Sequence, residues 1–111
     1  MIDQVRPTDL PAWLQAQGAR SVVLDVREPG ELATAAIQAD GFDLVAIPMN
    51  SIPGRLAELD PEQPVACLCH HGARSQRVAM FLLQNGFSRV ANIAGGIDAW
   101  SLERDAGVPR Y

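Results

Sequence analysis

Val65-Ala-Cys-Leu-Cys-His-His-Gly-Ala-Arg-Ser75 is the stretch that decides how this chain folds. It opens as a short apolar run that ends at Cys69. It passes through a loop broken by Gly72 and enters Arg74 to Gln84, where Val78, Phe81 and Leu82 fall on one helical face. A buried strand, a tight loop and a helix in that order are the core of a βαβ unit. The same alternation continues in both directions along the chain.

Upstream, Thr8 to Gln17 reads as a helix, with Thr8 as its cap, Leu10, Trp13 and Leu14 at helical spacing, and Gly18 as the stop. Ser21-Val-Val-Leu-Asp-Val26 has the β-branched apolar character of a strand buried on both faces. Glu28 to Ile37 reads as a helix opened by Pro29 and acidic residues. Gln38 to Asp43 reads as a loop around Asp40-Gly41, and Leu44 to Ile47 as a second buried strand stopped by Pro48. Ser51 to Leu59 is a short helix capped by Ser51, and Asp60 to Pro64 a connector. Downstream, Asn85-Gly86 closes the helix and Arg89 to Ile93 forms a fourth strand. Gly95-Gly96 leads into a last helix through Trp100 and Leu102. The pattern predicts an α/β fold with a mainly parallel sheet covered on both faces. With 111 residues and no repeat, low-complexity tract or linker, it is read as one domain over residues 1–111.

The bulk numbers narrow the function classes. Hydrophobic residues make up 48% and charged residues 20%, as in an ordinary soluble globular protein. A net charge of −4 gives no overall attraction to nucleic acid or to an anionic membrane, so neither is expected as a partner. Met1 to Arg20 lacks the apolar run of a signal peptide, and no stretch has the roughly 18 apolar residues of a spanning helix. A cytoplasmic location, with reduced thiols, is expected.

Cys67 and Cys69 stand two apart. In a strand that spacing puts both on one face with Cβ atoms roughly 6.5–7 Å apart, whereas a disulfide needs about 3.5–4.5 Å. They are not expected to bond to each other. Cys69 ends the strand, and ligands of parallel α/β sheets bind outside the carboxyl ends of strands. A nucleophilic cysteine works as the thiolate and needs nearby positive potential. The residues that follow offer it. A loop entering a helix N-terminus turns backbone N–H groups inward. Gly72 permits backbone conformations that a Cβ would forbid, Arg74 brings a permanent cation and a planar fork of donors, and Ser75 can donate to sulfur or cap the helix. The plain alternative is an inert buried thiol, since cysteine is among the most buried residue types. Position and following residues weigh against it.

Cys69-His-His-Gly-Ala-Arg-Ser75 resembles the active-site loop of the rhodanese family. Further segments are similar to that family's signatures in the same order: Leu24-Asp-Val-Arg-Glu-Pro29, Ile47-Pro48 with Ser51-Ile52, Asn85-Gly-Phe87 and Gly95-Gly-Ile-Asp-Ala-Trp100. The resemblance implies a rhodanese-like three-layer α/β/α fold with a mainly parallel central sheet of four to five strands. It implies a sulfurtransferase in which Cys69 carries sulfur as a persulfide among His70, His71, Gly72, Ala73, Arg74 and Ser75, taking it from a donor such as thiosulfate. The acceptor would be cyanide, a small-molecule thiol or a protein thiol, with no cofactor. Related phosphatases of this fold resemble Cys-x5-Arg. Here four residues separate Cys69 from Arg74, the shorter form, which suits a single sulfur better than a phosphate. A phosphatase or arsenate reductase, and a non-catalytic binding module, are the alternatives.

Asp25 and Arg27 follow the first strand of that pattern and are expected to hold loops near the site. Cys67 is expected in the core beneath the loop, and Trp13 and Trp100 in packing. Cys67-x-Cys-His-His71 holds soft ligands, but zinc sites draw ligand pairs from two places and no second cluster exists, so no metal is expected. Gln38 to Asp43 departs from the family's usual histidine-bearing stretch, which alters one expected pocket wall.

Overall fold

The computed structural model describes residues 2–111. Five strands form one sheet in the order β1-β5-β4-β2-β3, every pair parallel. They are β1 (Ile2–Val5), β2 (Val22–Asp25), β3 (Asp43–Ala46), β4 (Val65–Leu68) and β5 (Val90–Ile93). The helices are α1 (Leu10–Ala16), α2 (Pro29–Thr34), α3 (Ile52–Arg55), α4 (Ala73–Gln84) and α5 (Gly96–Glu103).

The central strands β2, β4 and β5 are buried at every position. Alternation sorts their side chains into two cores. Val65, Cys67 and Cys69 join Val22, Leu24 and Val90 against Ile52 of α3 and Val78, Ala79 and Leu82 of α4. Ala66 and Leu68 join Val23, Ala91 and Ile93 against Leu10 of α1 and Ile97 and Trp100 of α5. The outcome is the three-layer α/β/α arrangement, with β4 in the middle and its carboxyl end pointing at the loop that precedes α4.

Several local expectations are corrected. The first helix is preceded by a 3-10 turn, Pro7–Asp9, and no side-chain cap is made, so Thr8 does not serve as one. Glu28 is the cap of α2, Glu31 reaching back to its N–H, and the helix stops at Thr34; Ala35 is already extended. The second expected strand begins at Asp43, and it is an edge rather than a buried strand, with Leu44 37% exposed, because β2 is its one neighbour. Ser51 to Leu59 breaks into a 3-10 turn, the four-residue α3 and a second 3-10 turn, with no cap from Ser51. The strand β1 carries no apolar signal in the sequence, because Asp3 and Gln4 are exposed.

Candidate active site

The loop between β4 and α4 is shaped by what its carbonyls bind. Ile97 N–H donates to the Cys69 carbonyl at 2.8 Å and Asp98 N–H to the His70 carbonyl at 3.1 Å, so the first turn of α5 holds this side of the loop. The approach is close enough that a Cβ on Gly96 would land on both carbonyls, and Gly96 also has φ +61°. The Gly95-Gly96 pair is therefore more than a turn between strand and helix; it lets α5 dock against the loop. Gly72, at φ +106°, reverses the chain so that its own N–H turns inward.

That N–H donates to Cys69 Sγ at 3.1 Å. Ser75 Oγ, in the first turn of α4, lies 3.2 Å from the same sulfur. Cys69 is 1% exposed and sits at the top of the core, so both contacts act in a medium of low polarity. Cys67, one pleat below, is 0% exposed; burial pushes its thiol well above the usual range, and the neighbouring Cys69 adds to the shift. Both cysteines are free, as the strand geometry required.

Arg74 does not turn its guanidinium on the sulfur. Its two terminal nitrogens pair with the Glu31 carboxylate at 2.6 and 2.8 Å. The Arg74 hydrogen bonds, followed by one from the Tyr111 hydroxyl, hold the Glu31 carboxyl well below its ordinary value, at about 2. The same pairing raises Arg74. Asp25 and Arg27 form a buried bidentate pair, with Nε to Oδ1 at 2.9 Å and Nη2 to Oδ2 at 2.8 Å. Arg27 Nη1 extends to the Glu31 carbonyl at 3.3 Å and to the Tyr111 hydroxyl at 3.1 Å. Burial opposes the charge on Arg27, but the Asp25 and Tyr111 contacts outweigh it.

Tyr111 is an unforeseen member of this cluster. Its ring stacks on His70 with centroids 3.9 Å apart, while His71 stacks on the other side of His70, also at 3.9 Å. Its hydroxyl donates to Glu31 at 2.6 Å. Three rings thus form one stack beside the loop, and His70 Nε2 is buried without a hydrogen-bond partner among the described residues. The side chain of His71 is 65% exposed, with Nδ1 4.0 Å from Asp98. Among the described residues no three His, Cys, Asp or Glu side chains converge as a metal site.

Four participants carry no local signal in the sequence: Glu31, Asn92, Gln4 and Tyr111. Asn92, on β5, is 2.5 Å from Ser75 Oγ through Oδ1. The partners are 17 to 88 residues apart in sequence, and no local pattern connects them.

The segment Gln38 to Asp43 departs from the family pattern and lines a cavity of its own. Gln38, Ala39 and Asp40 line a cavity of about 540 Å³ with Trp100, Arg104 and Asp105, a lining that includes no residue of the Cys69 loop.

Comparison with known proteins agrees with this architecture. The model of the rhodanese-like domain family matches residues 7–103. A sulfurtransferase of Allochromatium vinosum is 38% identical over 80 residues, covering 72% of this chain and 71% of that protein. The thiosulfate sulfurtransferase GlpE of Actinobacillus pleuropneumoniae is 37% identical over 90 residues, covering 80% and 79%. Among solved structures, a rhodanese-like domain protein from Staphylococcus aureus superposes with a TM-score of 0.77 at 25% identity, covering 99% of both chains. A polysulfide-sulfur transferase homodimer from Wolinella succinogenes superposes with 0.71 at 28% identity, covering 99% of this chain and 78% of the other. A parallel α/β sheet that ends in a cysteine loop, matched over most of its length by these proteins, places the chain in the rhodanese-like family, as an enzyme of the sulfurtransferase type.

Proposed function

We propose that the chain moves sulfane sulfur from a donor such as thiosulfate to a thiophilic acceptor through a persulfide on Cys69. The observation that carries this reading is the convergence of Gly72 N–H and Ser75 Oγ on one sulfur at the carboxyl end of β4. Donors aimed at a buried sulfur stabilise its anion, the state that attacks.

In the first step the Cys69 thiolate attacks the outer sulfur of thiosulfate. The new S–S bond takes the thiolate's electron pair, the old S–S bond breaks, and sulfite leaves with its pair. The charge that began on Cys69 then rests on the outer sulfur of the persulfide. In the second step cyanide or a thiolate attacks that outer sulfur and leaves as thiocyanate or a new persulfide, and Cys69 returns as the thiolate. Double displacement of this kind gives ping-pong kinetics. With Cys69 1% exposed, the loop around it must open for either substrate to enter. A protein thiol as acceptor would need the widest opening.

The test is an intact mass after incubation with thiosulfate. One added sulfur atom is expected on the wild-type chain and on Cys67→Ser, and none on Cys69→Ser. An unmodified wild-type mass would remove thiosulfate as donor, and hydrolysis of a phosphate ester dependent on Cys69 would replace this reading by the phosphatase one.

A further inference from the structure

Ser75 has one hydroxyl proton and two claimants for it. Cys69 Sγ lies 3.2 Å from Oγ and Asn92 Oδ1 lies 2.5 Å away. The orientation of the Asn92 amide is set independently. Its Nδ2 donates to the Gly72 carbonyl at 3.2 Å and to Gln4 Oε1 at 3.0 Å, and a backbone carbonyl can only accept. Oδ1 therefore faces Ser75 as an acceptor. Gln4 is held in turn by its own amide donating to Gln76 at 2.6 Å. Asn92 is 4% exposed and Ser75 0% exposed, so no bulk water stands ready to replace a missing partner.

The proton count then depends on the state of the sulfur. With Cys69 as a thiol, S–H can donate to Ser75 Oγ while Ser75 donates to Asn92, and every group is satisfied. With a persulfide the charge sits on the outer sulfur, Sγ is a weak acceptor, and Ser75 keeps its bond to Asn92. With the bare thiolate, the sulfur draws on the Ser75 proton in addition to the Gly72 N–H, and when Ser75 turns to it Asn92 Oδ1 loses its donor inside the protein.

We propose that Asn92 is a positioning residue that acts on Cys69 through Ser75. It competes for the Ser75 proton, and so makes the bare thiolate the costly state of the site and the sulfur-loaded state the favoured one. The persulfide half of this statement rests on the function proposed above; the competition for the proton does not.

Alkylation of Cys69 by iodoacetamide at one fixed, near-neutral pH separates the two, because it needs no sulfur donor. Asn92→Ala frees the Ser75 proton for sulfur and should speed alkylation about fivefold, the worth of one hydrogen bond. Asn92→Asp, a stronger acceptor, should slow it. Ser75→Ala should also slow it, and adding Asn92→Ala to Ser75→Ala should change nothing further. A residue that merely supports the loop would make the alanine and aspartate variants move in the same direction, or would act equally with and without Ser75; either result overturns the proposal. If Asn92→Ala unfolds in a thermal melt, the opposed signs are read from Asn92→Asp against Asn92→Ser, where the serine is expected to react faster than wild type. With thiosulfate, the loaded fraction by intact mass should fall in Asn92→Ala. If the alkylation pattern holds and no variant ever gains sulfur, the persulfide reading fails and the role of Asn92 stands.

Discussion

Cys67 and Cys69 are one pleat apart on the same face of the same strand line, and they are 0% and 1% exposed. Cys67 belongs to the apolar core with Leu24, Val78 and Leu82, with Asn92 beside it in the ladder but no hydrogen bond from Asn92 to its sulfur, and the thiol is pushed upward by burial. Around Cys69 the same core gives way on one side to a turned-in N–H and a hydroxyl. Burial alone therefore does not tell the two cysteines apart. What sorts them is whether the strand continues, consuming its backbone N–H groups in the ladder, or ends and leaves N–H groups to face the side chain.

The sharpest way to break this contrast is to exchange the roles by mutation. Cys69→Ser should lower sulfur transfer by roughly a thousandfold or more, since covalent capture is lost altogether. Cys67→Ala should retain turnover and lose about 1 kcal/mol of stability for the small void it leaves. Thermal melts and steady-state rates on both variants measure this. A Cys67 variant that melts like wild type and yet no longer turns over would end the assignment of Cys67 to packing.

The next largest effect should come from the shape of the loop. Alanine at position 96 would bring a Cβ onto the Cys69 and His70 carbonyls and impose a left-handed conformation that costs about 1–2 kcal/mol by itself. Docking of α5 would then be lost and the donors near sulfur displaced. Activity should fall roughly a hundredfold, the scale of an ångström of misplacement at a reacting centre, while Gly86→Ala, with nothing near its Cβ position, serves as the control for positive φ alone. Equal losses in the two variants would show that strain, rather than the docking contact, is what matters.

The loop, its flanking strand and α4 were legible in the sequence because their signals are local: an apolar run, a glycine, an amphipathic period. The strand β1 was not, since an edge strand with Asp3 and Gln4 facing solvent has no run to read. Leu44 to Ile47 misled for the opposite reason: its apolar composition suggests burial, and only the strand order reveals an edge. Arg74 is legible in the sequence as the cation where the loop meets the helix, but its partner Glu31 is 43 positions away, and a guanidinium's charge can be read from sequence while its direction cannot. The Ser75–Asn92 contact and the Tyr111 stack arise the same way, from the parallel sheet bringing distant strand ends and the last residues to one edge.

A smaller effect should follow from breaking the ring stack. Tyr111→Ala takes away one face of the His70 stack and the hydroxyl bonded to Glu31 and Arg27. Alkylation of Cys69 should quicken several-fold through easier opening of the loop that His70 belongs to, and that of Cys67 should stay negligible, because it is fully buried in the core beneath. Labelling followed by peptide mapping distinguishes them. Acceleration at both cysteines would mean that the whole fold had loosened, and the contrast between the two sites would no longer be one of local surroundings.

The smallest effect concerns acid stability, and it tests why the donors at Cys69 are uncharged. Glu31 binds both terminal nitrogens of Arg74, so the hydrogen bonds of this guanidinium are committed away from sulfur. Glu31 is held at about 2 in the folded chain against an ordinary value of 4.5. A carboxyl depressed by folding contributes its stabilisation in full above its unfolded value and loses it as the pH falls toward the folded one. The stability difference between wild type and Glu31→Gln should therefore be constant above about pH 5 and shrink steadily from about pH 4.5 to about pH 2. Urea melts across that range measure it. A difference that persists unchanged to about pH 2 would mean that the pair with Arg74 is not formed in solution. Arg74 would then be free to turn toward Cys69, and the chemistry of that sulfur would rest on a cation as well as on the Gly72 N–H and the Ser75 hydroxyl.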